Sequence, residues 1–263
     1  MEGPVRLAVI GARGRVGSAV LRLAPEMGAR VVRAVGRHGA GQDVGALAGI
    51  GPIGVALEGD VAALASGGFD VAIDFSSPDT LVSVAAAVTS AGAALVSGTT
   101  GLSADGQRAL GEASARVAVL WEPNMSVGVH VLGRLLEQAI AALGDGFDVE
   151  IVETHHRKKV DAPSGTALRL ATIAESALGG GDRRHGREGR PGERSPKEIG
   201  LHAVRGGDVI GDHSVHLLGL GERLELVHRA TSRDLFAHGA LRAARWIAGR
   251  APGRYGLGDV LGE

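Results

Sequence analysis

The spacing of apolar positions changes along the chain, and each change marks an element. Val5-Arg6-Leu7-Ala8-Val9-Ile10 is an almost continuous apolar run, as expected of a strand buried on both faces. The glycine-punctuated turn Gly11-Ala12-Arg13-Gly14-Arg15-Val16-Gly17 follows, then a helical pattern from Ser18 to Ala24 and a second strand, Val31 to Val35. Strand, turn, helix and strand in that order make a parallel unit, with the glycines in the turn where a nucleotide pyrophosphate meets a helix N-terminus. A tight turn that needs positive φ is the plain reading of such glycines. Their position between strand and helix favours phosphate binding. Phe69 to Phe75 reads as a further buried strand, Asp79 to Ala91 as a helix, and Ala93 to Val96 and Val117 to Trp121 as strands. The hydroxyl-rich Ser97-Gly98-Thr99-Thr100-Gly101 lies at a strand's carboxyl end, where open α/β sheets place ligands.

Glu122-Pro123-Asn124-Met125-Ser126 reads as a crossing between domains. Beyond it, Val127 to Ala142 is a long apolar-periodic helix and Asp148 to Glu153 a strand. Asp161 to Thr166 carries the residues that start a helix, with Ser164 or Thr166 near its first turn. Asp182 to Lys197 is almost entirely charged or turn-forming and reads as an exposed, solvated loop. Ile199 to Val204, Val209 to Leu218 and Arg223 to Ala230 read as antiparallel strands joined by glycine turns. Leu235 to Ile247 is a last long helix, and Asp259-Val260-Leu261 packs back on the first domain.

Composition narrows the class. With 263 residues, 44% of them hydrophobic, the chain divides naturally into two domains of unequal size. A formal charge of -1, from 28 basic and 29 acidic side chains, gives no global reason to expect nucleic acid or a membrane surface as partner. The absence of cysteine removes disulfides and thiolate metal sites and fits a reducing cytoplasm. No apolar run reaches the ~18 residues of a membrane span, so a cytoplasmic protein is expected. The 43 glycines follow no strict period and point to many turns in an α/β protein.

The chemistry concentrates in one block. Glu153-Thr154-His155-His156-Arg157-Lys158-Lys159-Val160-Asp161-Ala162-Pro163-Ser164-Gly165-Thr166 holds two imidazoles, three cations and a hydroxyl-flanked glycine in fourteen residues. A solvated basic turn is the plain reading of a charge run. The histidine doublet and the helix start reverse that, pointing to a site for a small, multiply negative substrate with proton donors beside it. His155 with Glu153 suggests a metal pair, but no third ligand is identifiable from spacing, and no metal is expected. His202, His213, His216 and His228 read as strand-face or packing residues.

These residues together resemble the dihydrodipicolinate reductase family. The likeness runs nearly end to end: Gly11 to Gly17, Gly98-Thr99-Thr100-Gly101, Asn124-Met125-Ser126-Val127-Gly128, above all Glu153 to Thr166, then Gly192-Glu193-Arg194, Ile199-Gly200, Arg205-Gly206-Gly207-Asp208 and Ser232-Arg233. The resemblance implies an α/β protein in which a Rossmann-like parallel-sheet domain, residues 1–126 completed by 236–263, binds the dinucleotide. A smaller α+β domain, 127–235, then binds a dicarboxylate substrate and forms a homotetramer. The implied activity is NAD(P)H-dependent reduction of 4-hydroxy-tetrahydrodipicolinate in diaminopimelate and lysine biosynthesis. By the same resemblance His155 is the acid/base residue and Lys159 a proton donor, while His156, Ser164, Gly165 and Thr166 hold the substrate carboxylates. Cofactor contacts fall to Gly11, Ala12, Arg13, Gly14, Arg15, Val16, Gly17, Gly98, Thr99, Thr100, Glu122, Pro123, Asn124 and Met125. Two departures stand out. Glu122-Pro123 replaces the alanines common before the asparagine, and Gly36 stands where the second strand usually ends in an acid. Arg37 beside it suits a 2′-phosphate, so NADPH is expected to be preferred, with NADH also used. Fold and glycine turn alone would also permit another two-domain nicotinamide oxidoreductase of amino-acid metabolism, or a nucleotide-sensing binding protein that has lost catalysis. The histidine-rich block decides against both.

Overall fold

In the computed structural model, which describes residues 3–263, the chain forms two compact units, one up to Ser126 together with Arg233–Glu263, the other Val127–Ser232. In the first, β1 (Val5–Ile10) leads through the glycine turn to α1 (Arg15–Leu23) and β2 (Ala29–Val35). The stretch that carries no clear sequence signal holds a short helix, α2 (Val44–Leu47), capped by Asp43, and the two-residue β3 (Leu57–Glu58). Then come β4 (Val71–Asp74), α3 (Leu81–Ser90), β5 (Ala94–Ser97), α4 (Ala104–Ser114) and β6 (Ala118–Trp121). The helix expected from Asp79 begins instead as a 3-10 turn over Pro78–Thr80. Proline at its first position has no N–H to lose there.

In the second unit, α5 (Val127–Leu143) precedes β7 (Asp148–His155), α6 (Gly165–Ala177), β8 (Asp182–His185), β9 (Glu198–Arg205), β10 (Asp212–Leu218) and β11 (Arg223–Arg229). The chain then completes the first unit with α7 (Asp234–Ile247), β12 (Gly253–Tyr255) and α8 (Leu257–Leu261).

Among the described residues, the first unit's sheet has seven strands in the order β12-β6-β5-β4-β1-β2-β3, and every paired neighbour is parallel. Helices cover both faces: α1, α7 and α8 bury Val20, Leu21, Leu241 and Val260 on one, and α3 and α4 bury Leu81, Val84 and Leu110 on the other. That two-sided burial explains the unbroken apolar runs of β1 and β4. From β1 the chain adds β2 and β3 on one side, then crosses to β4 on the other, so strand order reverses between β1 and β4. The carboxyl ends of strands at such a reversal are where this architecture opens a crevice.

The second unit's sheet runs β11-β10-β7-β9-β8. One face is packed by α5 and α6, which bury Leu132, Leu136 and Leu170 against Val149, Ile151, Ile199, Val215 and Leu217. By length and mean hydropathy α5 with the turn after it, Val127–Gly146, is apolar enough to cross a membrane, although Arg134 and Glu137 interrupt its apolar run. Its apolar stripe packs on this sheet. Two expectations are corrected. The strand from Ile199 is not antiparallel to its partners: β9 pairs in parallel with β7 and with β8, because α6 carries the chain back to the start of β8 and the segment 186–197 carries it back again before β9. The Asp182–Lys197 segment is not simply a solvated loop. It begins with β8, and Arg187 and Arg194 fasten the remainder to Glu150, Glu198 and Asp148. Burial works to raise the Glu150 carboxyl, but Arg187, His202 and Arg194 bring it down to about 2.

Candidate active site

Strand alternation builds the chemical centre of the second unit. On β7, Val149 and Ile151 face the helices, and the two-residue period sends Glu153 and His155 to the same covered face. A carboxylate buried there, with its side chain 1% exposed, must be fully hydrogen-bonded. It is. Arg205, at the end of β9, donates to both Glu153 oxygens at 2.7 Å. His155 Nδ1 lies 2.6 Å from Oε2, and the Ser164 amide donates to Oε1 at 3.0 Å. Burial alone would raise the Glu153 carboxyl; Arg205, His155 and the Ser164 amide outweigh it and hold it below the usual range.

Across the ladder from Glu153, on β10, stands His213. It is buried, its ring meets His155 edge-on at 5.3 Å, and its Nε2 lies 3.1 Å from Ser164 Oγ. Burial, reinforced by the nearby His155, pushes His213 down to about 4, so it is neutral at pH 7. Ser164 is the N-cap of α6, its Oγ accepting from Ala167 N, which leaves the Gly165 and Thr166 amides at the helix's positive end. Lys159 lies in the turn that follows β7 and donates to both Asp161 oxygens at 2.8 and 2.9 Å. That contact lowers the Asp161 carboxyl. Arg205 also donates to the Asp161 carbonyl at 2.7 Å, so one guanidinium ties the strand end to the turn. Gly211 keeps the space beside His155 clear, since a Cβ there would sit 2.9 Å from Nε2.

In the first unit, a cleft of about 540 Å³ opens at the strand reversal, lined by Ile10, Gly11, Arg13 and Gly14 from β1 and its turn, Gly36, Arg37 and His38 after β2, and Ser76, Ser77 and Thr80 after β4. A second cleft of about 230 Å³ is lined by Gly14, Arg15, Val16, Phe75, Ser76, Gly98, Thr99 and Thr100. The turn is built by close approach. Gly11 has φ +76, a Cβ on it would meet the Phe75 carbonyl at 2.4 Å, and one on Gly17 would meet the Gly11 carbonyl at 2.2 Å. Arg37 donates to Ser77 Oγ at 2.9 Å and Arg13 to the His38 carbonyl at 3.1 Å. Among the described residues, no Asp or Glu lines the larger cleft.

The family model described as "Dihydrodipicolinate reductase, N-terminus" matches residues 5–125, and "Dihydrodipicolinate reductase, C-terminus" matches 128–261. The chain belongs to the dihydrodipicolinate reductase family. A protein of Anaeromyxobacter sp. (strain Fw109-5) named 4-hydroxy-tetrahydrodipicolinate reductase is 50% identical over 98% of each chain. A protein of the same name from Myxococcus xanthus (strain DK1622) is 48% identical, again over 98% of each. Among solved structures, the dipicolinate-bound dihydrodipicolinate reductase of Paenisporosarcina sp. TG-14 shares the fold with a TM-score of 0.78 at 23% identity, covering 96% of this chain and 97% of that one.

Within this reductase, His155 and Ser164 meet in one network, with Lys159 joined to it through Asp161 and Arg205. His156 is half-buried in the turn, where its carbonyl accepts from Lys159 N. Thr166 also lines a small recess of about 60 Å³ between α5 and α6 with Arg134, Glu137 and Arg169. Ala12 and Gly17 are buried behind the glycine turn. Glu122, Pro123, Asn124 and Met125 line neither cleft. The Glu122 carboxylate is buried facing the start of α8, the Asn124 side chain accepts from Ser126 N, and Met125 is buried beside Gly239. Arg205 and His213 are the residues whose importance the sequence reading missed. For His213 the available signal was its two-residue phase with Val215 and Leu217 on β10.

Proposed function

We propose that the protein reduces 4-hydroxy-tetrahydrodipicolinate to tetrahydrodipicolinate in diaminopimelate and lysine biosynthesis, with NADPH preferred and NADH accepted. One substrate, one reduced nicotinamide and one proton become product, oxidised nicotinamide and water. The observation that carries this reading is the buried network of His155, Glu153 and Arg205 beside the N-terminus of α6. It supplies a proton-transfer group and carboxylate donors in one place.

The residues of the first unit fit a dinucleotide. The backbone is crowded against Gly11, Gly14 and Gly17, so the turn stays bare and can approach a pyrophosphate. The cations Arg13 and Arg37 line the larger cleft with His38, and among the described residues no acid lines it to repel a 2′-phosphate. A bound reduced nicotinamide supplies the hydride.

The chain's own side chains do the rest. Glu153 occupies the Nδ1 side of His155, so proton exchange with substrate falls to Nε2. Lys159 gives a positive charge where negative charge develops on the ring, and a substrate carboxylate takes over the place of Asp161. His156, the Ser164 cap and the Gly165 and Thr166 amides complete the carboxylate recognition. A cytoplasmic location is part of this proposal.

The assembly is a homotetramer formed through the second unit. Its sheet has helices on one face, and Val204 and Val227, 47% and 41% exposed, lie on the other. Light scattering at micromolar concentration tests the assembly, and a monomer would end that part of the reading. Calorimetry with pyridine-2,6-dicarboxylate, a planar dicarboxylate that offers no bond to reduce, tests the substrate site. Binding to wild type that is lost in Lys159→Ala is expected. No binding with or without cofactor would contradict the placement.

A further inference from the structure

Asp74, the last residue of β4, is fully buried and takes no part in the chemistry described above. Its carboxylate accepts four hydrogen bonds. On Oδ1 they come from the Ser76 amide at 3.0 Å and the Ser76 hydroxyl at 2.5 Å. On Oδ2 they come from the Ser97 and Thr99 hydroxyls, each at 2.8 Å. All the donors are neutral, and among the described residues no cation pairs with it. A carboxylate buried in this way is expensive to keep and is held only where its full set of donors is fixed around it.

What it joins gives it a use. Ser76 belongs to the segment that walls both clefts, and Thr99 belongs to the opposite wall of the smaller one. Between the two walls stands Phe75. A Cβ on Gly98 would lie 2.2 Å from the Phe75 ring, and one on Gly11 would lie 2.4 Å from its carbonyl oxygen. Three loops therefore close on a single residue, and the carboxylate behind it fixes two of them to each other.

We propose that Asp74 is a positioning residue for the cofactor, setting the distance between the segment at Ser76 and the loop at Thr99 without itself touching the ligand. This rests on the dinucleotide reading above. Ser97 is the clean probe: it is fully buried, lines neither cleft, and among the described residues its hydroxyl reaches only Asp74 and the Thr99 amide.

The experiment titrates NADPH and the fragment 2′,5′-ADP, which suits the larger cleft alone, into wild type, Ser97→Ala and Asp74→Asn by calorimetry. Thermal unfolding is followed in parallel, and the titrations are run well below the unfolding temperature. Ser97→Ala removes two hydrogen bonds of the positioning set, the one donated to the Asp74 carboxylate and the one accepted from the Thr99 amide, and about three- to tenfold weaker NADPH binding is expected, with 2′,5′-ADP unchanged. Asp74→Asn is expected to weaken NADPH further. If Asp74→Asn does not fold, Ser97→Ala decides alone. A lowered unfolding temperature with unchanged NADPH affinity would mean that the network only stabilises the fold, and would overturn the proposal. Failure of wild type to bind NADPH would remove the cofactor reading itself, and this inference with it.

Discussion

The sharpest test of the site is Glu153→Gln, which preserves shape and removes charge. The glutamate accepts four hydrogen bonds, two of them from Arg205, with its side chain 1% exposed. A glutamine accepts at only one end. Its amide group must face two donors, either His155 Nδ1 with one Arg205 nitrogen or the Ser164 amide with the other. Breaking one partner of a buried pair costs about 3–5 kcal/mol. Arg205 retains 21% exposure, so the lower end, about 3 kcal/mol, is expected in urea unfolding. Replacing the carboxylate on Nδ1 by a neutral amide weakens or removes the hold on the imidazole, which is expected to lower kcat by about 10²–10⁴-fold. Stability and activity are separated by the pair Glu153→Leu/Arg205→Met. Removing both charges should recover most of the stability while leaving His155 unheld, so kcat stays low. Wild-type kcat in Glu153→Gln, or in a stable double variant, would refute the argument that Glu153 positions the imidazole.

Other predictions follow the same lines. Arg37→Ala should weaken NADPH more than NADH, read as kcat/KM for each; an equal loss for both would show that Arg37 does not recognise the 2′-phosphate. Lys159→Ala should lower turnover by about 10²-fold or more with the Kd for NADPH unchanged, and a wild-type rate would remove its role. His213 gives a pH test: its folded value of about 4 lies below the ordinary 6.5, so below pH 6.5 the unfolded chain binds a proton that the folded one does not. Stability therefore falls as pH drops from about 6.5 to 4, by at most about 3 kcal/mol from this residue. His213→Gln should flatten the fall between pH 6.5 and 5, above the range where Glu153 begins to protonate. An unchanged slope would contradict the burial of a neutral imidazole.

The elements easiest to read were those whose environment is uniform. β1 and β4 are buried on both faces, so their composition alone marks them, and the glycine turn announces itself by position. The stretch from His38 to Gly68 gave nothing, because α2 and β3 are short and are held by contacts that no periodicity encodes, such as the Asp43 carboxylate accepting from five backbone amides on either side of a loop. β12, three residues long, is specified by pairing with β6 and by little in its own sequence. The parallel setting of β9 depends on which neighbour it joins, a long-range choice that alternation does not encode. At the site, His155, Ser164 and Lys159 were legible because they crowd into fourteen residues. Arg205 and His213 lie 52 and 49 residues from the groups they bind, and only the strand register brings them there.

The central claim is the reaction, and its most direct measurement is oxidation of NADPH with the freshly prepared condensation product of pyruvate and aspartate semialdehyde. Substrate-dependent oxidation is expected, with one nicotinamide consumed per tetrahydrodipicolinate formed, and it should collapse in His155→Ala while that variant still binds NADPH. A wild-type protein that binds NADPH but leaves it unoxidised in the presence of this substrate would contradict the account.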